Sequence, residues 1–421
     1  MSFFRQVYEL MMSATQAHAR WDYEVSMSII NNRKKLLLLG VLLLPILLVS
    51  FSDAASFLGS RHAYGPSFYS TSIFVVSIFV GIAAGLITGC IGAGGGFVIT
   101  PALMAVGVKG ILAVGTDMFH IFAKAIMGTV VHKKLGNISL GLAFSFLVGS
   151  TIGTFLGGEL NRFVYDLYPI LSDAVISIIY SIVLGFLGFY ALFDYFRLSR
   201  AIKKGTIVSG SAHGSSGAGM TPLARTLQKV KLAPMITFDQ EVVPGGRRIS
   251  GWVMAVGGLI VGLLATLMGA GGGFVTFPMF VYGFGVSSMT TVGTDILQII
   301  FTSGFGSILQ YAIYGYVFYT LALGMLIGSL LGIQIGALTT KVVKGVHIRG
   351  FYAVSILAGF VNRMATLPNQ FVRLGYIKLD PSLVAGIEYV GNIAFWIVVI
   401  FFSVWIFAKF FAKIGYLRQE A

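Results

Sequence analysis

Asp117, His120 and Lys124 follow one another at i, i+3 and i+7 inside an otherwise apolar run, and so share one face of a helix. A charged side chain at the centre of a membrane-spanning helix costs at least about 2.5 to 3.5 kcal/mol, which makes each of the three a functional candidate by default. Lys124 is the sole cation inside a predicted span and the first choice for balancing a bound anion. His120 has the imidazole needed to exchange a proton near neutral pH, and suits equally a buried, hydrogen-bonded neutral ring. Asp295, Gln298 and Thr302 repeat the spacing later in the chain with a single acid. Asp117 and Asp295 follow Thr116 and Thr294 near helix starts, where an acid can cap a helix or take part in ion coupling. Glu388, with Asn392 on the same face of the final apolar run, reads as a proton site or an interhelical hydrogen-bond partner. Asn362-Arg363 closes a short apolar stretch and reads as an outer-vestibule cation or a snorkelling anchor.

The second cluster is made of glycine. "GAGGGFV" runs from Gly92 to Val98 and again from Gly269 to Val275. Phe97 stands where a dinucleotide fingerprint requires glycine, and no Gly-Lys-Ser/Thr follows, so neither nucleotide reading holds. Each glycine costs a helix about 1 kcal/mol relative to alanine, and a run of them predicts a break. About a dozen apolar residues follow each break, with Pro101 and Pro278 inside, too few for a span of about 20. The pattern predicts two helix–loop–short helix hairpins. A broken helix in a bilayer must be buried in protein or line a wet cavity, and the N-terminus of the short helix favours an anion. The anion contacts expected are Gly94, Gly95, Gly96 and Phe97 in the first hairpin and Gly271, Gly272, Gly273 and Phe274 in the second, with hydroxyl donation from Thr116 and Thr294. The alternative is that glycine only permits close helix packing, the better reading for Gly81, Gly85, Gly149, Gly153, Gly157, Gly328, Gly332 and Gly336.

Composition says what must position these residues. Of 421 residues, 56% are hydrophobic and 10% charged, against about 25% charged in soluble domains. The chain is an all-α, polytopic integral membrane protein. Apolar runs mark spans at Leu36–Val49, Thr71–Cys90, Ile111–Val131, Ile138–Leu160, Ala174–Phe193, Ile249–Met268, Met289–Tyr311, Val317–Leu338 and Leu383–Phe407, while Gly96–Val108, Gly273–Phe284 and Phe351–Val361 are too short. The net charge of +14 sits mostly in stretches beside the spans, as in cytoplasmic loops, so nucleic acid is not the expected partner. The single cysteine, Cys90, supplies neither a disulfide nor a metal cluster. No cofactor is expected, and without a Gly-x-Ser-x-Gly or His-x-x-x-His pattern in a span an enzyme is not expected either.

Beyond the glycines, Pro101 matches Pro278, Thr116 matches Thr294, and "GNISLGLAFSFLVGSTIG" (Gly136–Gly153) matches "GYVFYTLALGMLIGSLLG" (Gly315–Gly332). Lys133 and Lys134 correspond to an uncharged turn bearing Tyr311, Tyr314 and Tyr316, whereas the turn with Arg162, Asp166 and Asp173 corresponds to one with Lys341, Lys344, His347 and Arg349. Equivalent loops then face opposite sides, which predicts two inverted-topology repeats, each with a glycine-broken hairpin. The organisation expected is a basic amphipathic segment or poorly ordered tail (1–35), an extra first helix and outer loop (36–70), repeat one (71–196), a flexible cytoplasmic Gly/Ser linker (197–249), repeat two (250–366), and an outer loop, final helix and basic C-terminus (367–421). Both termini and the linker are expected in the cytoplasm.

The paired "GxGGG…P" hairpins, the "VGTD" helix starts and "VHKKLGNISLGLAFSFLVGSTIGTFLGG" (Val131–Gly158) resemble the sulfite exporter TauE/SafE family, over about Ser72 to Leu338. The resemblance implies a bacterial inner-membrane secondary transporter, an exporter of small sulfur-containing anions such as sulfite, thiosulfate or organosulfonates. The expected partners are a small anion and the bilayer. An anion channel, a carrier of another organic anion, and a membrane scaffold are the alternatives.

Overall fold

The computed structural model describes residues 71–91, 95–134, 139–203, 221–240, 245–339, 342–343 and 345–413. The amphipathic segment 1–35, the first span Leu36–Val49 and the last residues of the basic C-terminus lie outside them. In chain order the helices of the first half are α1 (Thr71–Ile91), α2 (Gly96–Ala105), α3 (Gly110–Lys134), α4 (Leu140–Leu167) and α5 (Pro169–Lys203). A short helix α6 (Pro222–Gln228) and an antiparallel hairpin, β1 (Met235–Phe238) and β2 (Arg247–Ser250), lead into the second half. There α7 (Gly251–Met268), α8 (Gly273–Pro278), α9 (Ser288–Phe305), α10 (Tyr319–Thr339) and α11 (Gly345–Arg373) repeat the order, and α12 (Pro381–Ala412) closes it. α8 and α9 each run on into a π-helical segment, Met279–Phe284 and Gly306–Ala312.

Among the described residues seven helices are long and apolar enough to cross a membrane: α1, α4, α5, α7, α10, α11 and α12. Their outer faces carry exposed apolar side chains at helical spacing, such as Phe144, Val148, Ile152 and Phe155 on α4 and Ile393, Ile397, Ile400 and Val404 on α12, a surface that suits lipid. Two expected spans, Ile111–Val131 and Met289–Tyr311, form helices but are not among the seven: α3 and α9 are central and spend their buried faces on polar side chains. The short stretch Phe351–Val361 is instead the middle of the long helix α11, because the flanking polar residues are covered by neighbouring helices.

The two halves interlock. α1 packs along α10 and α7 along α4, so the first helix of each half lies on the fourth of the other. Small residues make this possible: a Cβ on Gly149 would stand 1.7 Å from the carbonyl oxygen of Ala255, and one on Gly328 would stand 2.0 Å from that of Ile78. Gly81 meets Met325 and Gly336 meets Leu86, so α1 and α10 are parallel; Gly149 with Ala255 and Gly157 with Thr266 make α4 and α7 parallel too. The fifth helices cross the other way, Gly185 on Phe360 and Gly350 on Tyr195, and so do the third, with Phe122 on Gly304 and Met118 on Gly306.

The stretch expected as a flexible linker is structured where it is described. α5 continues to Lys203, and residues 221–240 and 245–250 fold onto the exit of the second hairpin. Thr221 donates to Tyr282 O (2.5 Å), Gln228 to Phe284 O (2.7 Å) and Arg247 to Gly285 O (2.5 Å), while buried Asp239 accepts from the Ser287 N–H (2.8 Å), the Ser287 hydroxyl (2.7 Å) and the Thr290 hydroxyl (2.6 Å).

Candidate functional site

Both helices break at the glycine clusters. α1 ends at Ile91 and α2 starts at Gly96; α7 ends at Met268 and α8 starts at Gly273. In the second break Gly269, Gly271 and Gly272 have φ of +76°, +62° and +90°, a backbone that only glycine adopts freely. The two breaks touch. A Cβ on Gly96 would lie 2.7 Å from Ala270 Cα, the rings of Phe97 and Phe274 are 6.0 Å apart between centroids, and both rings are buried. Tyr180 of α5 ties the crossing point, its hydroxyl 2.6 Å from Met268 O and 3.4 Å from Gly96 O.

Beside the breaks run the polar faces of α3 and α9. Asp117 Oδ2 accepts from Thr100 of the first hairpin (3.0 Å), Asp117 Oδ1 lies 3.7 Å from His120 Nδ1, and His120 Nε2 is 3.0 Å from Ser329 Oγ on α10. Lys124 Nζ donates to Thr88 on α1 (3.3 Å). In the second half Gln298 donates to Asp295 Oδ1 (2.8 Å) and lies 3.4 Å from Thr276 Oγ1 of the second hairpin, Thr302 donates to Gln298 Oε1 (2.8 Å), and Ser150 of α4 is 3.2 Å from Thr302. Ser150 and Ser329 hold matching places after Gly149 and Gly328. Each half thus builds one polar chain: hairpin threonine, third-helix acid, and a serine from the fourth helix of the opposite half. Asp117, His120, Asp295, Gln298 and Thr302 are all buried, where an unpaired polar group is costly. Among the described residues no group of three or more His, Cys, Asp or Glu side chains could hold a metal ion.

The sulfite exporter TauE/SafE family pattern matches residues 77–363, both hairpins and both polar chains included. The chain belongs to the TauE/SafE family. It is 26% identical over 272 residues to "Probable membrane transporter protein YunE" of Bacillus subtilis, covering 63% of this chain and 87% of that one. To "Probable membrane transporter protein YjnA" of the same organism it is 26% identical over 268 residues, 64% and 89% of the two chains. A "Probable membrane transporter protein" of Xylella fastidiosa is 23% identical over 266 residues, 63% and 84%. No solved structure matches. The TauE/SafE family is one of membrane transporters and not of enzymes.

Within the TauE/SafE region the structure brings together Gly95, Gly96, Phe97, Gly271, Gly272, Gly273 and Phe274 at the crossing, with Asp117 and His120, and Asp295 and Gln298, on the two helices beside it. Gly94 lies outside the described residues. The Thr116 hydroxyl donates to Leu112 O (2.6 Å) and accepts the Phe318 N–H (3.0 Å), so its proton is committed within its own helix, while the Thr294 hydroxyl accepts the Ser139 N–H (3.1 Å). Each fixes the start of the fourth helix of the opposite half. Glu388 stands apart and beyond the family match, accepting from Asn369 of α11 (2.5 Å).

Two arginines expected in outer loops are buried inside helices. Arg162 of α4 bonds both the backbone and side-chain oxygens of Gln310 (2.6 Å each) and lies 4.0 Å over the Tyr314 ring. It lines a cavity of about 430 Å³ with Glu159, Asp166 and Tyr316. Arg363 of α11 is 1% exposed and bonds Asn362 Oδ1 (2.8 Å), Pro101 O (3.3 Å) and Met104 Sδ (3.2 Å), fastening α11 to the first hairpin. Nothing in the sequence singles out Ser150, Ser329, Thr100 or Tyr180, and Arg363 reads there only as an outer-vestibule cation or a snorkelling anchor. An arginine one turn after a glycine-rich apolar stretch was the one signal available for Arg363, and only the tertiary contact gives it meaning.

Proposed function

We propose that the protein is a secondary transporter, an exporter in the bacterial inner membrane, for small sulfur-containing anions such as sulfite, thiosulfate or organosulfonates. The observation that carries this reading is the contact of two glycine-broken helices in the buried centre of a TauE/SafE chain, each with a polar helix beside it. Backbone N–H groups at residues 95–97 and 271–274 receive the anion, and Lys124 balances its charge. The two halves are inverted repeats with the site between them, a reading that the antiparallel crossings of α3 with α9 and of α5 with α11 support. Alternating access exposes the crossing to one side and then the other. Protons couple through the acids Asp117, Asp295 or Glu388 with their neighbours His120 and Gln298. The termini and the 197–249 segment face the cytoplasm.

The test is sulfite counterflow into proteoliposomes. Saturable uptake stimulated by sulfite on the opposite side supports the carrier. Ohmic conductance in planar bilayers would replace it with a channel, and flux with organic carboxylates but not sulfur oxyanions would overturn the substrate class.

A further inference from the structure

His120 and Gln298 hold equivalent positions on α3 and α9 but treat their aspartates differently. In the second half the Gln298 amide donates a permanent N–H to Asp295 Oδ1 at 2.8 Å. In the first half, the tautomer with its proton on Nε2 donates to Ser329 Oγ at 3.0 Å and leaves the serine hydroxyl proton for Leu326 O (3.2 Å). A neutral His120 then carries a lone pair on Nδ1. That nitrogen faces Asp117 Oδ1 at 3.7 Å, while the other carboxylate oxygen is occupied by Thr100. Neither Oδ1 nor Nδ1 has a hydrogen-bond partner, and both are buried. Two acceptors point at one another in a low-dielectric interior, where one shared proton turns their repulsion into an N–H···O bond.

We propose that Asp117 and His120 together form the proton-binding site of the transport cycle, taking one proton per turnover, and that Asp295–Gln298 is its permanently hydrogen-bonded counterpart. The inference rests on the anion-carrier reading above and narrows its coupling to one half. The proton enters from water on one side, binds the Nδ1 lone pair, changes the pair's charge from −1 to 0, and leaves to the other side; no other bond forms or breaks. Removing a negative charge close to Lys124 favours an anion there, so proton and anion bind cooperatively and travel in the same direction.

The other ionisable groups around the pair do not duplicate it. Lys124 is on the same helix and is the charge that acts on both. α5 presents Tyr180, which donates to Met268 O, and α9 presents Asp295, bonded to Gln298. Arg162 and Glu159 of α4 pair with each other near Gln310, and α10 contributes Tyr319, whose ring packs on Phe119. α2 and α7 have no ionisable side chain.

Two measurements test this. In proteoliposomes with a trapped pH dye, methanesulfonate is the probe, because it stays ionised and carries no proton of its own. The wild type should move protons with the anion, and H120Q, which copies the second half, should lower the ratio of protons to anions at least ten-fold; an unchanged ratio overturns the proposal. Nitrogen NMR of histidine-labelled protein should show His120 gaining a proton at Nδ1 on acidification, with the transition displaced in D117N. A His120 signal constant between about pH 5 and 9 would mean a bridging water and overturn the proton site. If the wild type moves neither methanesulfonate nor sulfite, the transport reading fails, and the NMR titration still decides the proton site.

Discussion

The ring of Phe97 stands 6.0 Å from that of Phe274, and the two belong to helices that begin immediately after separate glycine breaks. The breaks are therefore in contact, and the smallest side chain between them has consequences. Gly96→Ala places a methyl 2.7 Å from Ala270 Cα, an overpacking that should cost about 1 to 3 kcal/mol. Its thermal midpoint in detergent should fall and its anion flux should drop at least as much as expression-matched wild type allows to be measured. Gly107→Ala is the contrast: at φ +92° with nothing within 4 Å, it should cost only the backbone strain, about 1 kcal/mol, and leave flux intact. Equal losses of flux would argue that the crossing has no special part in transport.

Lys124→Ala should weaken sulfite transport about ten-fold in half-saturating concentration, equivalent to about 1.4 kcal/mol. Lys124→Arg, which keeps the charge, should recover part of it. Unchanged affinity and rate in the alanine variant would remove Lys124 from the anion's path.

Tyr180→Phe deletes the hydroxyl that bonds Met268 O at 2.6 Å and leaves that buried carbonyl short of a donor. The loss should be about 1 to 2 kcal/mol, read as a lowered thermal midpoint. A midpoint equal to wild type would mean that the carbonyl finds another donor.

Legibility tracked sequence distance. The breaks at Gly92–Gly96 and Gly269–Gly273 were readable because consecutive glycines and a nearby proline oppose a helix within a few residues, and α2 and α8 start within the stretch expected. The shared face of Asp117, His120 and Lys124 was readable from periodicity alone. What Arg363 and Arg162 do was not: each looks like a loop cation until α2 supplies Pro101 and Met104, or the π-helical segment supplies Gln310, from far along the chain. The same distance separates Thr116 and Thr294 from the N–H groups they accept, which belong to Phe318 and Ser139. Asp239 sat within a glycine- and charge-rich stretch, and nothing local marks it as the acceptor for Ser287 and Thr290.

An inverted arrangement can be checked from outside. With the buried Cys90 replaced by alanine, cysteines at Lys134 and at the exposed Tyr314 should react with membrane-impermeant maleimide from opposite sides. Labelling of both from one side would sink the inversion and leave a parallel duplication.

Asp380 precedes α12 outside the bilayer, and its carboxylate accepts from the Ser382 hydroxyl, from Ser382 N–H at 2.7 Å and from Leu383 N–H at 3.3 Å. The Ser382 hydroxyl first, then these N–H groups, hold its carboxyl below the ordinary 3.8. A carboxyl depressed on folding stabilises fully above its unfolded value, and the contribution fades as pH falls through the folded value. Asp380→Ala should accordingly lower the thermal midpoint at neutral pH and match wild type in strong acid; a gap that persists unchanged into acid would mean the cap works without its charge.

Cys90 donates to the carbonyl of Gly336, 246 residues further on, and along the whole of α1 the close partner is α10. During synthesis, then, the glycine groove of the first helix reaches the bilayer long before the surface that fills it has been translated. Neither half has its own partner for that groove, so the two halves close only as an interlocked pair. Separately expressed halves should be rescued only by co-expression, each acting as the template on which the other closes.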